Sequence, residues 1–510
     1  MVLTPALPLV PWPTSAVAGS GRMPLTDASR VIRDNTVAAL PALDLLTSGV
    51  RRRSGLRLAS DDGDRRPGDV VVRIDPALPA EGYRLAVDER AELIGGDDAG
   101  LFYGVQTLLQ LLDRTDDGWG IPAAVIADSP RFAYRGVMLD VARHFFSPED
   151  VKAYIDRAAA LKFNRLHLHL TDDQGWRIEI DSWPLLTGRG AAGDATGGRG
   201  GFYTKDDYRG IVAHATSRHM TVVPEIDLPG HTHAVGVGYP ELVEQPWIGA
   251  PVAEHIATTG EPSPVHGEQY AGTAVGHSSV RIHDERTYDF IRDVLDEVAE
   301  LTPGPYLHIG GDECLGTPSA DFATFVERVS RIAADTGKTP IAWHEAGAVA
   351  DIAEGTIGQY WGSVHPQGDH AEEAARFVAR GGSLILSPSD RAYLDMKPRA
   401  DFPLGLVWAG LVPFPQSYDW EPTAIMPGLP AEAILGVEAP LWTETVTTLA
   451  EADALVFPRV AAQAEIAWSA QTDPERTWES FRARVAALVP AWQASGIAVP
   501  PAEEIAEEIA

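Results

Sequence analysis

The 510-residue chain has one cysteine, Cys314, so it forms no intramolecular disulfide and no thiolate cluster for zinc. A free cysteine behaves mostly as a small buried hydrophobe, and no basic residue stands beside Cys314, which argues against a thiolate nucleophile. Positive charge is also scarce: 41 Lys and Arg face 72 Asp and Glu, a formal net charge of −31. Such a chain repels phosphate, so nucleic acid and anionic membrane surfaces are poor partners for it. No run approaches the roughly 18 apolar residues that a membrane-spanning helix needs. The amino terminus lacks a basic start as well. No Lys or Arg precedes Arg22, and Pro5, Pro8, Pro11 and Pro13 interrupt the apolar stretch. It reads as an extended opening of the first domain, which makes the cytoplasm the default location unless a secreted chain has been trimmed.

What the chain does have is room for more than one small core, and its rhythm changes partway along. Residues 1–128 mix strands (70–74 and 83–87) with a helix over 97–112. Asp97 or Asp98 suits the N-cap of that helix, and Leu101, Val105, Leu108 and Leu112 share its apolar face. This first unit is a small α+β domain with no convergent set of polar residues. From 129 to 510 strands and helices alternate. Strands are expected at 136–141, 165–170, 221–226, 306–309, 339–343, 357–360, 383–387 and 434–439. Helices are expected at 148–161, 205–218, 286–301, 321–335 and 372–380, the first of them opened by Ser147-Pro148-Glu149-Asp150. Eight such repeats predict an α/β fold, a parallel (β/α)8 barrel of the TIM type, carrying the catalytic domain and C-terminal helices. The Gly-rich run 188–201 contains no GK[ST] and reads as a mobile loop over the barrel mouth. The ending 503–510 reads as a frayed acidic helix.

In such a barrel the carboxyl ends of the strands build the active site. Those ends carry Asp140, Arg143 and His144; His169, Asp172 and Asp173; Glu225, Asp227, His231 and His233; Asp312 and Glu313. The later strands add Trp343, His344 and Glu345, then Trp361, then Tyr393 and Asp395, then Glu438, Trp442 and Glu444. Tryptophans interleaved with fixed carboxylates suit a carbohydrate, whose rings have apolar faces and polar rims. His308-Ile309-Gly310-Gly311-Asp312-Glu313 is the most telling segment. Neighbouring side chains of a regular strand point to opposite faces, so two adjacent carboxylates serve one ligand only if the strand ends or twists there, as Gly310-Gly311 permits. Adjacent like charges push one carboxyl pKa up, which is the condition for keeping a general acid protonated. Two rival readings remain open at this level. His167, His169, His231 and His233 with the aspartates also suit a metal-dependent barrel hydrolase, and the tryptophans alone would suit a non-catalytic sugar-binding protein.

Longer motifs decide between them. Arg135-Gly136-Val137-Met138-Leu139-Asp140-Val141-Ala142-Arg143-His144 and His167-Leu168-His169-Leu170-Thr171-Asp172-Asp173-Gln174-Gly175-Trp176-Arg177 resemble glycoside hydrolase family 20, the β-N-acetylhexosaminidases. Pro224-Glu225-Ile226-Asp227-Leu228-Pro229-Gly230-His231, the segment ending in Asp312-Glu313, and Leu441-Trp442-Thr443-Glu444 extend the resemblance over about residues 130–470. The first unit resembles the small domain that commonly precedes this barrel. The resemblance implies Glu313 as general acid/base, Asp312 as partner of the substrate 2-acetamido N–H, and Tyr393 as partner of its carbonyl oxygen. It further implies Trp343, Trp361 and Trp442 as walls of the acetamido pocket, Arg143 and Glu444 on the ring hydroxyls O3 and O4, and Asp395 at O6. Trp408 would stack near the neighbouring sugar, with Asp172 and His231 supporting Glu313. The expected substrate is an oligosaccharide or glycoconjugate ending in N-acetylhexosamine, and no cofactor or metal is implied.

Overall fold

The computed structural model describes residues 7–34, 40–61 and 63–507. The first unit is built on one mixed sheet. Its strands run in the spatial order Ser15–Pro24, Gly118–Asp128, Tyr83–Val87, Ala91–Gly95, Val70–Ile74, Arg30–Arg33 and Ala59–Asp61, with Asp113–Thr115 hairpinned onto Gly118–Asp128. The helix Asp98–Leu111 packs on this sheet, and the side chain of Asp97 caps it by accepting from Gly100 N. The helix Leu40–Ser54 and the long strands at either end of this unit are absent from the pattern expected of the sequence.

The second unit is a closed parallel barrel. Its strands are β1 (Tyr134–Asp140), β2 (Arg165–His169), β3 (Thr221–Glu225), β4 (Tyr306–His308), β5 (Thr339–Trp343), β6 (Ile357–Tyr360), β7 (Leu384–Leu386) and β8 (Ile434–Leu441). The ring closes where β8 pairs with β1, from Gly436 opposite Tyr134 to Leu441 opposite Leu139. Helices cover the outside. Pro148–Ala160 starts with a full capping box between Ser147 and Asp150, and Lys205–Thr216 with one between Thr204 and Asp207. Such caps satisfy amide groups that the first helical turn leaves without partners.

Two buried cations key the units together at the amino ends of the strands. Arg135, 1% exposed, reaches Glu81 at 3.0 Å, and Lys162 meets Asp128 at 3.0 Å and the Tyr83 hydroxyl at 2.9 Å. Trp468, from a C-terminal helix, donates to the same Asp128 at 2.9 Å. The mouth at the opposite end is therefore left free for ligand.

One expectation is corrected, and the helix expected at the acidic ending is found in part. The Gly-rich run is not loose: Arg177, fully buried, donates to the carbonyls of Ala191, Gly193 and Gly201 and also to those of Val141 and Ala142 at the end of β1. Asp194 folds the turn on itself by accepting from Thr196 and Gly198, and Ala195 N donates to the Arg143 carbonyl at 2.9 Å. One guanidinium thus pins the segment to the barrel rim. The acidic ending forms the helix Ala502–Glu507, anchored by the buried Ile505, while residues 508–510 lie outside the described residues.

Candidate active site

The turn after β4 carries the central pair. β4 ends at His308, and the next residues leave the strand through left-handed backbone at Gly310 (φ 68°), Gly311 (φ 106°) and Glu313 (φ 47°). A Cβ on Gly310 would lie 1.6 Å from Asp227 Oδ1, so only glycine fits there. This reversal brings Asp312 and Glu313 to one place instead of opposite faces. Asp312 is 7% exposed, and its Oδ1 has no hydrogen-bond partner among the described residues. Burial, reinforced by the charges of Glu313 and Glu225 and opposed by His231, pushes its pKa up to about 6. Within the adjacent pair the buried Asp312 is thus pushed up, as adjacent like charges require of one member. Glu313 keeps 33% of its side chain exposed at the mouth.

Behind the pair stands His231, itself left-handed (φ 53°) and 2% exposed. Its Nε2 lies 3.5 Å from Glu313 and 3.8 Å from Asp312, and its Nδ1 lies 3.1 Å from Asp172. Burial opposes the imidazolium, but Asp172, Asp227 and Asp312 outweigh it and hold His231 well above the usual histidine range. Asp172 also receives Arg143 at 2.9 Å and His169 at 2.8 Å. Burial opposes its charge too, yet Arg143 and His231 keep the carboxyl well below the ordinary range. His231 is thereby a fixed positive group beside two carboxyls.

The aromatic wall lies over the other strand ends. Trp343 closes β5 and is fully buried, Trp361 follows β6, and Trp442 follows β8. The rings of Trp343 and Trp442 are 6.0 Å apart, those of Tyr393 and Trp442 6.4 Å. Trp408, 53% exposed, stands edge-on to both Trp361 (5.8 Å) and Tyr393 (5.7 Å). The Tyr393 phenol is driven up by burial and by the charges of Asp395, Asp312 and Glu345, so it stays a neutral O–H donor. Arg143 lies 5.0 Å from the Trp442 ring centre and keeps one buried nitrogen, Nε, without a partner among the described residues. Burial raises Glu444 to about 7 against the pull of Arg143, and burial with the Glu444 charge raises Asp395 well above its usual range. All twelve residues to which the resemblance gives a role meet at this one mouth.

Glu345 also belongs to it and was given no role from the sequence. Both its oxygens accept from Trp361 Nε1 at 3.1 Å, so it fixes the plane of that ring. Asp227, 1% exposed, is the other addition: its Oδ1 accepts from Gly311 N at 3.2 Å and seats the turn. Both residues stand at strand ends in the sequence, but no spacing rule tells which neighbour they hold.

The metal reading loses one of its histidine pairs. His233 does not converge with His231: its Nε2 meets the Glu268 carbonyl at 2.8 Å, and its ring sits against Tyr270 and His277. Among the described residues four sets do bring ligand-type atoms within 4.8 Å of one another: His167, Glu225 and His308; His169, Asp172 and Asp227; Asp172, Asp173 and His231; and Asp227, His231 and Asp312. In the first of these His167 lies between two carboxylates, hydrogen-bonded to Glu438 at 2.8 Å and ion-paired with Glu225 at 3.1 Å, so that its charge balances theirs. Cys314 is no nucleophile either: its thiol donates to the Asp312 carbonyl at 3.1 Å, and burial raises its pKa well above the usual thiol value.

Comparison with known proteins agrees with this geometry. The model of the glycosyl hydrolase family 20 catalytic domain matches residues 132–321 and 315–471, and that of the family's domain 2 matches residues 6–129. A β-N-acetylhexosaminidase of Cellulomonas fimi is 42% identical over 439 residues, 84% of this chain and 82% of that protein. A solved family 20 β-N-acetylglucosaminidase superposes with a TM-score of 0.89 at 51% identity, covering 97% of this chain and 98% of that one. A mutant Streptomyces plicatus β-hexosaminidase solved with its product GlcNAc gives a TM-score of 0.88 at 42% identity, covering 98% of this chain and 97% of that one.

Proposed function

The chain belongs to glycosyl hydrolase family 20, and from that premise we propose that it is a retaining exo-β-N-acetylhexosaminidase that removes terminal β-linked GlcNAc or GalNAc by substrate assistance. The observation that carries this reading is the unpartnered Asp312 Oδ1 at a wall of Trp343, Trp361, Trp442 and Tyr393, next to the half-open Glu313.

In the first step the carbonyl oxygen of the substrate's acetamide attacks the anomeric carbon while Glu313 gives its proton to the departing oxygen. The C1–O bond breaks and a cyclic oxazolinium forms. Family 20 is a named exception to the two-carboxylate rule for this reason. Asp312 accepts the acetamido N–H and, once ionised, balances the positive charge that grows on the ring. Tyr393 donates to the attacking carbonyl oxygen. The tryptophan walls hold the acetamide under C1, and such prepositioning is a large part of the rate. In the second step Glu313, now a carboxylate, takes a proton from water as the water attacks C1, giving net retention. Arg143, Glu444 and Asp395 bind the outer hydroxyls and close the far end of the sugar, which makes the action exo.

The test is the ratio of kcat/KM for aryl β-GlcNAc and aryl β-glucoside at one pH. Without the acetamide the nucleophile is gone and buried polar groups go unpaired, so discrimination of about 10⁴ or more is expected. A ratio within tenfold would mean that an enzyme carboxylate is the nucleophile.

A further inference from the structure

The support behind Glu313 does not stop at Asp172. It continues down the barrel as an alternation of carboxylates and imidazoles. Asp172 Oδ2 meets His169 Nε2 at 2.8 Å, and His169 Nδ1 meets Glu225 Oε2 at 2.5 Å. The same Glu225 oxygen lies 3.1 Å from His167 Nε2, and His167 Nδ1 meets Glu438 Oε1 at 2.8 Å. Tyr134 and Gln359 finish the row by donating to Glu438 at 2.6 and 2.7 Å. His167, His169, Glu225 and Glu438 are all 0% exposed, and the His169 and His167 rings back the aromatic wall, 4.8 Å from Trp442 and 6.0 Å from Trp343. We propose that Glu225, with the His167 and His169 rings it joins, is a positioning residue that acts through Asp172 and His231 on the acid Glu313.

The argument is one of donors and acceptors. An ionised carboxylate only accepts, and an imidazole with a carboxylate at each nitrogen satisfies both only by donating from both. His167, His169 and His231 each stand between two carboxyl groups, so the plane and charge of every ring depend on the acid at either side. Three imidazolium rings alternate with Glu438, Glu225 and Asp172, and in a desolvated interior such alternating charges strengthen one another. His167, between Glu438 and Glu225, is accordingly raised to about 9 against the effect of burial. The remaining charged neighbours are Arg143 on Asp172, and Asp227 and Asp312 beside His231. Glu225 is the central member. It also lies 3.0 Å from His308 Nδ1, the atom to which Gly310 N–H donates at 3.0 Å. Because that nitrogen accepts from Gly310 it gives no proton to Glu225, and Glu225 reaches the acid by one route, through His169, Asp172 and His231.

This inference rests on Glu313 being the general acid, and its test keeps the two claims apart. Wild type, Glu225→Gln, Glu313→Gln and the double variant are assayed on a phenyl and a 2,4-dinitrophenyl β-GlcNAc glycoside. The phenolate leaving group needs the proton, whereas the dinitrophenolate barely does. Glu225→Gln is expected to lower kcat on the phenyl substrate by about ten- to hundredfold, the coupling range for groups in one network of hydrogen bonds and ion pairs. KM and the dinitrophenyl rate should change little, and the loss should vanish in the Glu313→Gln background. An equal loss on both substrates, or an additive loss in the double variant, would reduce Glu225 to a structural part and overturn the proposal. Should Glu225→Gln fail to fold, His167→Gln removes the next link and is read by the same comparison. If Glu313→Gln itself shows no leaving-group dependence, the acid assignment fails, and not merely the role of Glu225.

Discussion

Replacing Gly310 by alanine tests whether the turn after β4 is what makes the site. The Cβ would lie 1.6 Å from Asp227 Oδ1, 2.4 Å from its Cγ and 2.8 Å from its Cα. Ordinary contact begins near 3.4 Å, so the two groups must part by about 1.8 Å (3.4 minus 1.6). Asp227 has little freedom to yield, since it is 1% exposed and its Oδ1 already accepts from Gly311 N. The turn has to move instead, carrying Asp312 and Glu313 with it. A displacement of about 1 Å at reacting groups costs on the order of 10²-fold, so kcat/KM should fall by at least that. The left-handed φ of 68° adds backbone strain of roughly 1–2 kcal/mol for a residue with a Cβ.

Gly311 is the internal control. It is also left-handed, with φ 106°, but the nearest atom to its Cβ would be Ala346 Cβ at 3.6 Å, an ordinary contact. Gly311→Ala therefore carries backbone strain of about 1–3 kcal/mol without a clash. Denaturant melts should show both variants weakened, while kcat/KM on an aryl β-GlcNAc falls much further for Gly310→Ala. If Gly310→Ala keeps wild-type kcat/KM, the turn does not set the position of the carboxyl pair and the geometric account is wrong.

Asp312 should leave a mark on the pH profile. Its folded pKa of about 6 means that it is neutral below that pH and charged above it, so kcat/KM should drop about tenfold per unit as pH falls below 6. Asp312→Asn should abolish that limb and lower kcat by about 10²–10³, the effect of losing one preorganised electrostatic group; an acid limb that survives unchanged would assign it to another residue. Overnight dialysis against EDTA should leave activity intact, because the nucleophile is supplied by the substrate and the proton by Glu313. Loss of activity that zinc restores would revive the metal hydrolase.

Much of the barrel is legible in the sequence because parallel strands covered on both faces read as short apolar runs between breakers. The expected spans of β5 and β6 coincide with the observed ones, Thr339–Trp343 and Ile357–Tyr360, and those of the other six differ by at most two residues at either end. Residues at the ends of short strands were placed by the same logic, Trp343 and Asp312 among them. Tyr393 and Asp395 are different. They lie beyond β7, in an excursion that returns through the bond from Leu394 N to the Pro440 carbonyl; the strand-end reading names them, but only the family resemblance gives them roles. The loop 188–201 was misread for a related reason. What fixes it is Arg177 donating to backbone carbonyls, and a carbonyl has no letter in a sequence. Glu225 and Glu438 fall between these cases, since an inward-facing charge on a strand is visible but its partner across the barrel is not.

Backbone strain shows how the two units divide the work. Five non-glycine residues among those described have positive φ: Glu81, Lys162, His219, His231 and Glu313. Each left-handed residue costs roughly 1–2 kcal/mol and persists only where its surroundings over-determine it. His231 and Glu313 face one another at 3.5 Å in the active site. The other three lie where the units meet: Glu81 holds Arg135, Lys162 holds Asp128, and the His219 ring packs 5.2 Å from Phe102. Lys162 and His219 lie three and two residues before β2 and β3, the strands whose carboxyl ends lead to His169, Asp172 and His231. The first unit thus grips the amino ends of the strands whose other ends hold the acid. Strain at the mouth is borne by a scaffold clamped at its base, and loosening that clamp should reach the active site before it unfolds the barrel.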